Sequence, residues 1–104
     1  MNVVWTSEAI RKLEEIEKFI AQDNPQRASG FIELLLEKGD LTGSFPDIGR
    51  VVPELSMPEI REILVIREIL VGNYRIVYRR VSLCIEILTV FEEHRSFRSD
   101  ELTI

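Results

Sequence analysis

The chain has 104 residues, of which 45% are hydrophobic and 30% charged, and its formal net charge is −5. This length suits a single domain spanning residues 1–104 and is too short for two domains with separate cores. The negative charge argues against strong non-specific attraction to nucleic acid, because that attraction grows with the number of phosphates that basic residues neutralise. We expect a partner other than DNA and no direct, specific DNA binding.

No apolar run in the sequence approaches the roughly 18–20 residues that span a bilayer. Residues 1–5 also lack the basic and then apolar pattern of a signal peptide. The sequence therefore predicts a cytoplasmic protein that does not enter a membrane. Cys84 is the single cysteine, so it forms no internal disulfide. It stands between apolar residues, which favours a buried, inert thiol over a nucleophile.

The start of the chain predicts a short strand followed by a helix. Val3 to Trp5 form the strand, and Thr6 or Ser7 caps the helix. Apolar residues then recur at helical spacing and form one stripe, which by default packs into the core. The stripe consists of Ile10, Leu13, Ile16, Phe19 and Ile20.

A second helix follows almost at once. Asn24 is its predicted cap, Pro25 its first residue and Gly39 its end. A turn this short between two helices predicts an antiparallel helical hairpin. In residues 41–59 the helical periodicity is lost and Gly, Ser and Pro become frequent, which predicts a surface connection.

Six residues are then repeated without a change, first as Ile60 to Val65 and again as Ile66 to Val71. β-Branched and aliphatic residues dominate both copies, so both are predicted to be strand. Because side chains alternate with period two, an insertion of six residues leaves every later residue on its original face. The first copy is expected to be covered either by the N-terminal strand or by the same segment of a second molecule in a homodimer.

The predicted strands cover residues 60–71, 74–80 and 84–91, and Gly72-Asn73 forms a two-residue turn between the first two. That turn sets Glu68 diagonally between Arg75 and Arg79, close enough for ion pairs. The element order is β-αα-βββ. It is typical of an α+β domain in which a helical hairpin packs on one face of a mainly antiparallel sheet.

Every basic residue after residue 40, histidine aside, is an arginine. The planar guanidinium suits paired contacts with carboxylate or phosphate, although cross-strand pairing with nearby acids is the expected use for most of them. These residues are Arg50, Arg61, Arg67, Arg75, Arg79, Arg80, Arg95 and Arg98.

Several short motifs, in this order and spacing, resemble the RelE/ParE superfamily, the toxic halves of bacterial type II toxin–antitoxin and plasmid-stabilisation modules. The resemblance covers nearly the whole chain and implies the same β-αα-βββ fold. The motifs are Trp5-Thr6, Asp23-Asn24-Pro25, Phe45-Pro46, Gly49-Arg50, Pro53-Glu54, Arg67-Glu68, Asn73-Tyr74-Arg75 with Ile76 to Arg79, and His94-Arg95. The chain departs from the family pattern in its duplicated hexapeptide.

Two branches of the superfamily are nucleases that act on the ribosome. The RelE-like branch cuts messenger RNA with cations that stabilise charge on the phosphate. Of that pattern the chain matches Arg75, whereas Glu68 occupies the strand that carries lysines in the family. A YoeB-like branch uses a glutamate as base and a histidine as acid, which would make Glu54, His94 and Arg75 or Arg67 the catalytic candidates. A lone histidine beside an arginine in a polar tail is more often a solvated residue.

The ParE-like branch inhibits DNA gyrase without an active site of its own, and the acidic balance and missing cations favour this branch. The resemblance implies a toxin that a cognate antitoxin protein neutralises, with DNA gyrase or the ribosome as target and with no cofactor and no metal. A binding-only module weakened by the duplication is a third alternative. Contacts to the antitoxin or target are expected at Arg50, Arg67, Arg75, Arg79 and Arg95.

Overall fold

The computed structural model describes residues 1–52 and 65–92. Within these ranges two helices pack against one five-stranded sheet of strand order β1-β5-β4-β3-β2. The elements are β1 (Asn2–Trp5), α1 (Ser7–Ala21), α2 (Pro25–Ser44), β2 (Arg50–Val51), β3 (Ile66–Val71), β4 (Tyr74–Val81) and β5 (Cys84–Glu92). Only β1 pairs in parallel, with β5, so the sheet is mainly antiparallel. The predicted α+β fold is confirmed.

None of the described helices combines the length and the apolar character needed to cross a bilayer.

Both predicted helix caps are confirmed. The amide of Ala9 donates to Thr6 Oγ1 at 3.2 Å, and the amide of Arg27 donates to Asn24 Oδ1 at 3.1 Å, with Pro25 opening α2. Each cap satisfies one of the amides that a helix start leaves without an intrahelical acceptor. The Thr6 hydroxyl also donates to the carbonyl of Ile87 at 2.7 Å, which fixes the start of α1 to β5.

The prediction that α2 ends at Gly39 is wrong, because the helix continues to Ser44. A β-carbon at Gly39 would overlap the indole ring of Trp5, so this glycine permits close contact between α2 and β1. Trp5 Nε1 donates to Asp40 Oδ1 at 3.2 Å beside it. The first four residues of the predicted surface connection, 41–44, therefore belong to the helix.

The sheet carries apolar clusters on both faces. The cluster that packs against the helices consists of Ala9, Leu13, Ile16, Leu35, Val71, Ile76, Tyr78, Ile85, Ile87 and Val90. A second cluster of buried residues contains Val52, Ile66, Val77, Leu88 and Phe91. The two clusters alternate along β4, which is why consecutive residues such as Ile76 and Val77 are both buried.

The predicted pairing of β3 with β4 is confirmed at all six positions, from Ile66 opposite Arg79 to Val71 opposite Tyr74. The second copy of the hexapeptide is therefore the copy that forms β3. Gly72 has a φ of 58°, a left-handed conformation that glycine adopts at low cost in a two-residue turn. The first copy lies outside the described residues except for Val65, which is exposed and not part of a strand.

The expectation that the N-terminal strand covers the first copy stays a prediction, because residues 60–64 lie outside the described residues. β1 lies at the opposite edge of the sheet from β3, where it pairs in parallel with β5 between Asn2–Cys84 and Trp5–Ile87. Beside β3 lies instead the unpredicted strand β2, and Val52 extends the pairing by donating its amide to Ile66 O at 2.9 Å. Cys84 is half-buried rather than buried, because β5 begins there next to an exposed turn.

We expect deletion of Ile60 to Val65 to preserve the fold, because the second copy already supplies every residue of β3. Val52 and Ile66 are hydrogen-bonded neighbours, so the deletion shortens the stretch of chain that joins them from residues 53–65 to seven residues. The lower entropy cost of closing the shorter loop should raise the free energy of unfolding by about 0.5 kcal/mol. Urea denaturation followed by circular dichroism measures this value, and loss of a cooperative transition would contradict the prediction.

Candidate functional site on the arginine-rich strands

Glu68 in β3 is the centre of a buried ionic cluster. Its side chain is 1% exposed and accepts a hydrogen bond of 2.6 Å from Arg50 Nε of β2. On the other side, Arg75 Nη1 of β4 lies 3.4 Å from Glu68 Oε2. The Arg75 pair confirms the predicted register, whereas the Arg50 pair was missed because β2 was not predicted. The carboxylate thus joins three neighbouring strands.

Arg79 does not pair with Glu68 as predicted. Its Nε donates to Glu86 Oε1 of β5 at 2.8 Å, and Nη2 lies 2.8 Å from the same oxygen. The cause is a bulge between Val77 and Tyr78, across which the pairing passes from Thr89 to Ile87 and skips one residue. If the register continued without the skip, Ile87 rather than Glu86 would lie opposite Arg79.

Tyr78, which sequence reasoning did not single out, fastens the segment between α2 and β2 to the sheet. Its hydroxyl donates to Pro46 O at 2.8 Å and accepts from the Gly49 amide at 2.8 Å. Arg67 Nη1 donates to Gly49 O at 2.8 Å. Burial raises the pKa of Tyr78 above its ordinary value, and the Gly49 hydrogen bond and Arg67 offset part of that rise. The phenol therefore stays protonated and keeps its bond to Pro46.

Gly49 is required at this junction. A β-carbon there would lie 2.7 Å from Glu68 O and 2.8 Å from the Tyr78 hydroxyl, both closer than a carbon can approach. The Gly49-Arg50 pair thus combines a close backbone approach with the ion pair to Glu68.

Beside Tyr78 a depression of about 360 Å³ opens to solvent. We call it the arginine cleft. It is lined by Pro46, Asp47, Val65, Arg67, Tyr78, Arg79, Arg80 and Ser82. Of its three arginines, Arg67 lies near Asp47, whose side chain is 86% exposed, and Arg79 is paired with Glu86. The cleft therefore has a positive lining on a chain whose net charge is negative.

The remaining predicted site residues divide into two groups. Glu54, His94 and Arg95 lie outside the described residues, so a glutamate–histidine pair stays a prediction. Arg75 lies inside them, and besides its Glu68 contact its guanidinium carbon is 5.8 Å from the centre of the Phe91 ring. Residues 1–52 and 65–92 contain no cluster of three or more His, Cys, Asp or Glu side chains able to hold a metal ion.

A family model described as the ParE toxin of the type II toxin–antitoxin system parDE matches residues 3–97. The chain belongs to the ParE toxin family. A Sinorhizobium fredii (strain NBRC 101917 / NGR234) protein named "Putative toxin Y4kP" is 33% identical over 96 residues, which cover 92% of each protein. As a member of this family, the chain is the toxin component of a type II toxin–antitoxin system, and a cognate antitoxin is its partner.

The fold of this ParE toxin also resembles a solved structure described as the chromosomal ParDE toxin–antitoxin system from P. aeruginosa. The two share 18% sequence identity with a TM-score of 0.68, and the match covers 88% of this chain and 95% of the other. This identity is too low to carry residue roles across, so the similarity concerns the fold.

A second depression of this ParE toxin, the aromatic groove, lies at the Gly72-Asn73 turn. It has a volume of about 520 Å³, and Phe19, Phe31 and Tyr74 line it. Both Arg27 and Asp23 also border it, so its charge is mixed. The arginine cleft and the aromatic groove lie at opposite ends of β4, which gives the protein two separable candidate surfaces.

Proposed function

We propose that this ParE toxin inhibits DNA gyrase by binding to it, without an active site of its own. The observation that carries the proposal is the pair between Arg75 and buried Glu68. Arg75 is the one position that matches the pattern of the RelE-like nucleases. A phosphate approaching it would meet the negative charge of Glu68, and such repulsion opposes the charge that builds up during RNA cleavage.

The other arginines support binding rather than catalysis. Arg50 and Arg79 are each ion-paired with an acid of the sheet, and Arg67 is anchored to Gly49 O. Arginines held in this way keep a fixed geometry, which suits recognition of a protein surface. Contacts to the antitoxin or the target are proposed at the arginines named from the sequence: Arg50, Arg67, Arg75, Arg79 and Arg95.

Two assays on the purified protein test the target. We expect inhibition of DNA supercoiling by gyrase and no cleavage of messenger RNA on translating ribosomes. Site-specific cleavage that disappears in Glu54→Ala or His94→Ala would overturn the gyrase proposal and favour the YoeB-like mechanism. Absence of both activities, together with no toxicity on expression, would instead indicate a binding-only module. The proposed inhibition of gyrase would take place in the cytoplasm.

A homodimer through the duplicated segment is also proposed, because a second copy of a strand-forming hexapeptide can pair with another chain. Light scattering compares the intact chain with the variant that lacks Ile60 to Val65. A dimer that persists in the deletion variant would rule out this segment as its interface.

A further inference from the structure

We propose that the arginine cleft and the adjoining turn at Ser82 and Leu83 are the docking site for an acidic, amphipathic segment of the antitoxin. Carboxylates of that segment would pair with Arg67 and Arg80, and an apolar side chain beside them would cover Leu83. The inference rests on the chain being the toxin of a toxin–antitoxin pair. It does not depend on gyrase being the target.

The charges of the cleft favour a carboxylate ligand. Arg80 is exposed, and its Nε donates a long hydrogen bond of 3.3 Å to Ser82 O. Arg67 Nη2 lies 3.5 Å from Asp47 Oδ1, and Asp47 itself is largely in solvent. These two contacts are loose, although Arg67 is also held through Nη1 by Gly49 O at 2.8 Å. Arg79, by contrast, is held tightly by Glu86. A carboxylate entering between Arg67 and Arg80 can replace these loose contacts with short, charge-assisted hydrogen bonds.

The turn beside the cleft supplies an apolar contact. Leu83 is 77% exposed, more than any other large apolar side chain of the described residues. Ser82 before it has a φ of 56°, a left-handed conformation that residues other than glycine, asparagine and aspartate rarely adopt. Glycine or asparagine would suit a turn of this kind better. Leu83 thus places one exposed apolar side chain next to Ser82, which lines the cleft.

The same features favour an acidic peptide over a nucleic acid. A nucleic acid presents a run of phosphates that needs many basic contacts, whereas the cleft has three arginines, one of which is already paired with Glu86. A phosphate backbone has no apolar group that could cover Leu83. A peptide, by contrast, can place an apolar side chain next to a carboxylate. A disordered segment that folds on its partner gains from this combination of ionic and apolar contacts.

The test uses the intact chain and a short labelled peptide in which glutamate and leucine alternate. Fluorescence anisotropy at low salt should detect binding. Arg80→Glu should weaken it roughly tenfold, because the change removes one attraction and adds one repulsion. Leu83→Ser should weaken it by a smaller factor, and added salt should weaken the ionic part. The assay contains no gyrase, so its result is independent of the target.

Matched controls place the same changes at the aromatic groove. Arg27→Glu and Phe19→Ser should leave the affinity within about twofold of the unchanged protein, since these exposed residues lie at the other end of β4. Three results would overturn the proposal. They are no binding of the peptide, equal loss in the control variants, and binding of a single-stranded oligonucleotide that Arg80→Glu abolishes.

Discussion

Replacing Glu68 by alanine is expected to lower the free energy of unfolding by about 2 kcal/mol. Removing one partner of a buried ion pair typically costs about 3–5 kcal/mol, because the remaining charge stays buried. Here the cost is smaller, since Arg50 is 62% exposed and regains water, whereas Arg75 is 14% exposed and does not. Urea denaturation gives the value.

The duplicated hexapeptide requires one precaution in this experiment. Glu62 occupies the same position in the first copy as Glu68 does in the second. A slip of the strand by six residues would bring Glu62 into the place of Glu68, with every neighbouring side chain unchanged. Glu68→Ala is therefore combined with Glu62→Ala. We expect the free energy of unfolding to fall by the full amount in the double variant and to stay unchanged in Glu62→Ala alone.

A double-mutant cycle separates the partners of Glu68. Glu68→Ala and Arg75→Ala should be coupled by about 1 kcal/mol, because the two side chains form an ion pair. Glu68→Ala and Arg79→Ala should be additive, because Arg79 pairs with Glu86. Coupling to Arg79 but not to Arg75 would show that the bulge in β5 is misplaced.

Gly39→Ala is the second substitution with a large expected effect, a loss of about 2 kcal/mol. Alanine is favoured over glycine inside a helix by about 1 kcal/mol, so helix propensity alone predicts the opposite sign. The overlap with the ring of Trp5 outweighs this gain. The ring cannot easily move away, because Trp5 is paired with Ile87 and bonded to Asp40.

Gly30→Ala is the matched control in the same helix. No atom lies within 4 Å of a β-carbon built at Gly30, so only the helix propensity remains. We expect this variant to be more stable by about 0.5–1 kcal/mol. The midpoint temperatures of thermal denaturation of the two variants should therefore shift in opposite directions from that of the unchanged protein. A gain in stability for Gly39→Ala would contradict the close contact with Trp5.

Local signals in the sequence predicted much of this molecule. The caps at Thr6 and Asn24 depend on side chains that bond amides three residues away. The pairing of β3 with β4 follows from a two-residue turn and from the alternation of side chains, so Glu68 and Arg75 were placed together correctly. The family, too, could be named from the order and spacing of short motifs, and the match over residues 3–97 confirms it.

Contacts between distant parts of the chain decided the rest. Glycine commonly ends a helix, so the sequence alone suggests a helix end at Gly39. Only the position of Trp5, 34 residues earlier, shows that this glycine permits close packing. β2 has two residues, too few for any periodicity, yet it brings Arg50 to Glu68. One extra residue in β5 gives Arg79 a different partner, and the arginine cleft forms where β3 and β4 meet the segment after α2. The reason is physical: a turn or a cap is determined by residues a few positions apart, whereas a bulge, a short edge strand and a close helix–strand contact depend on side chains that only the folded chain brings together.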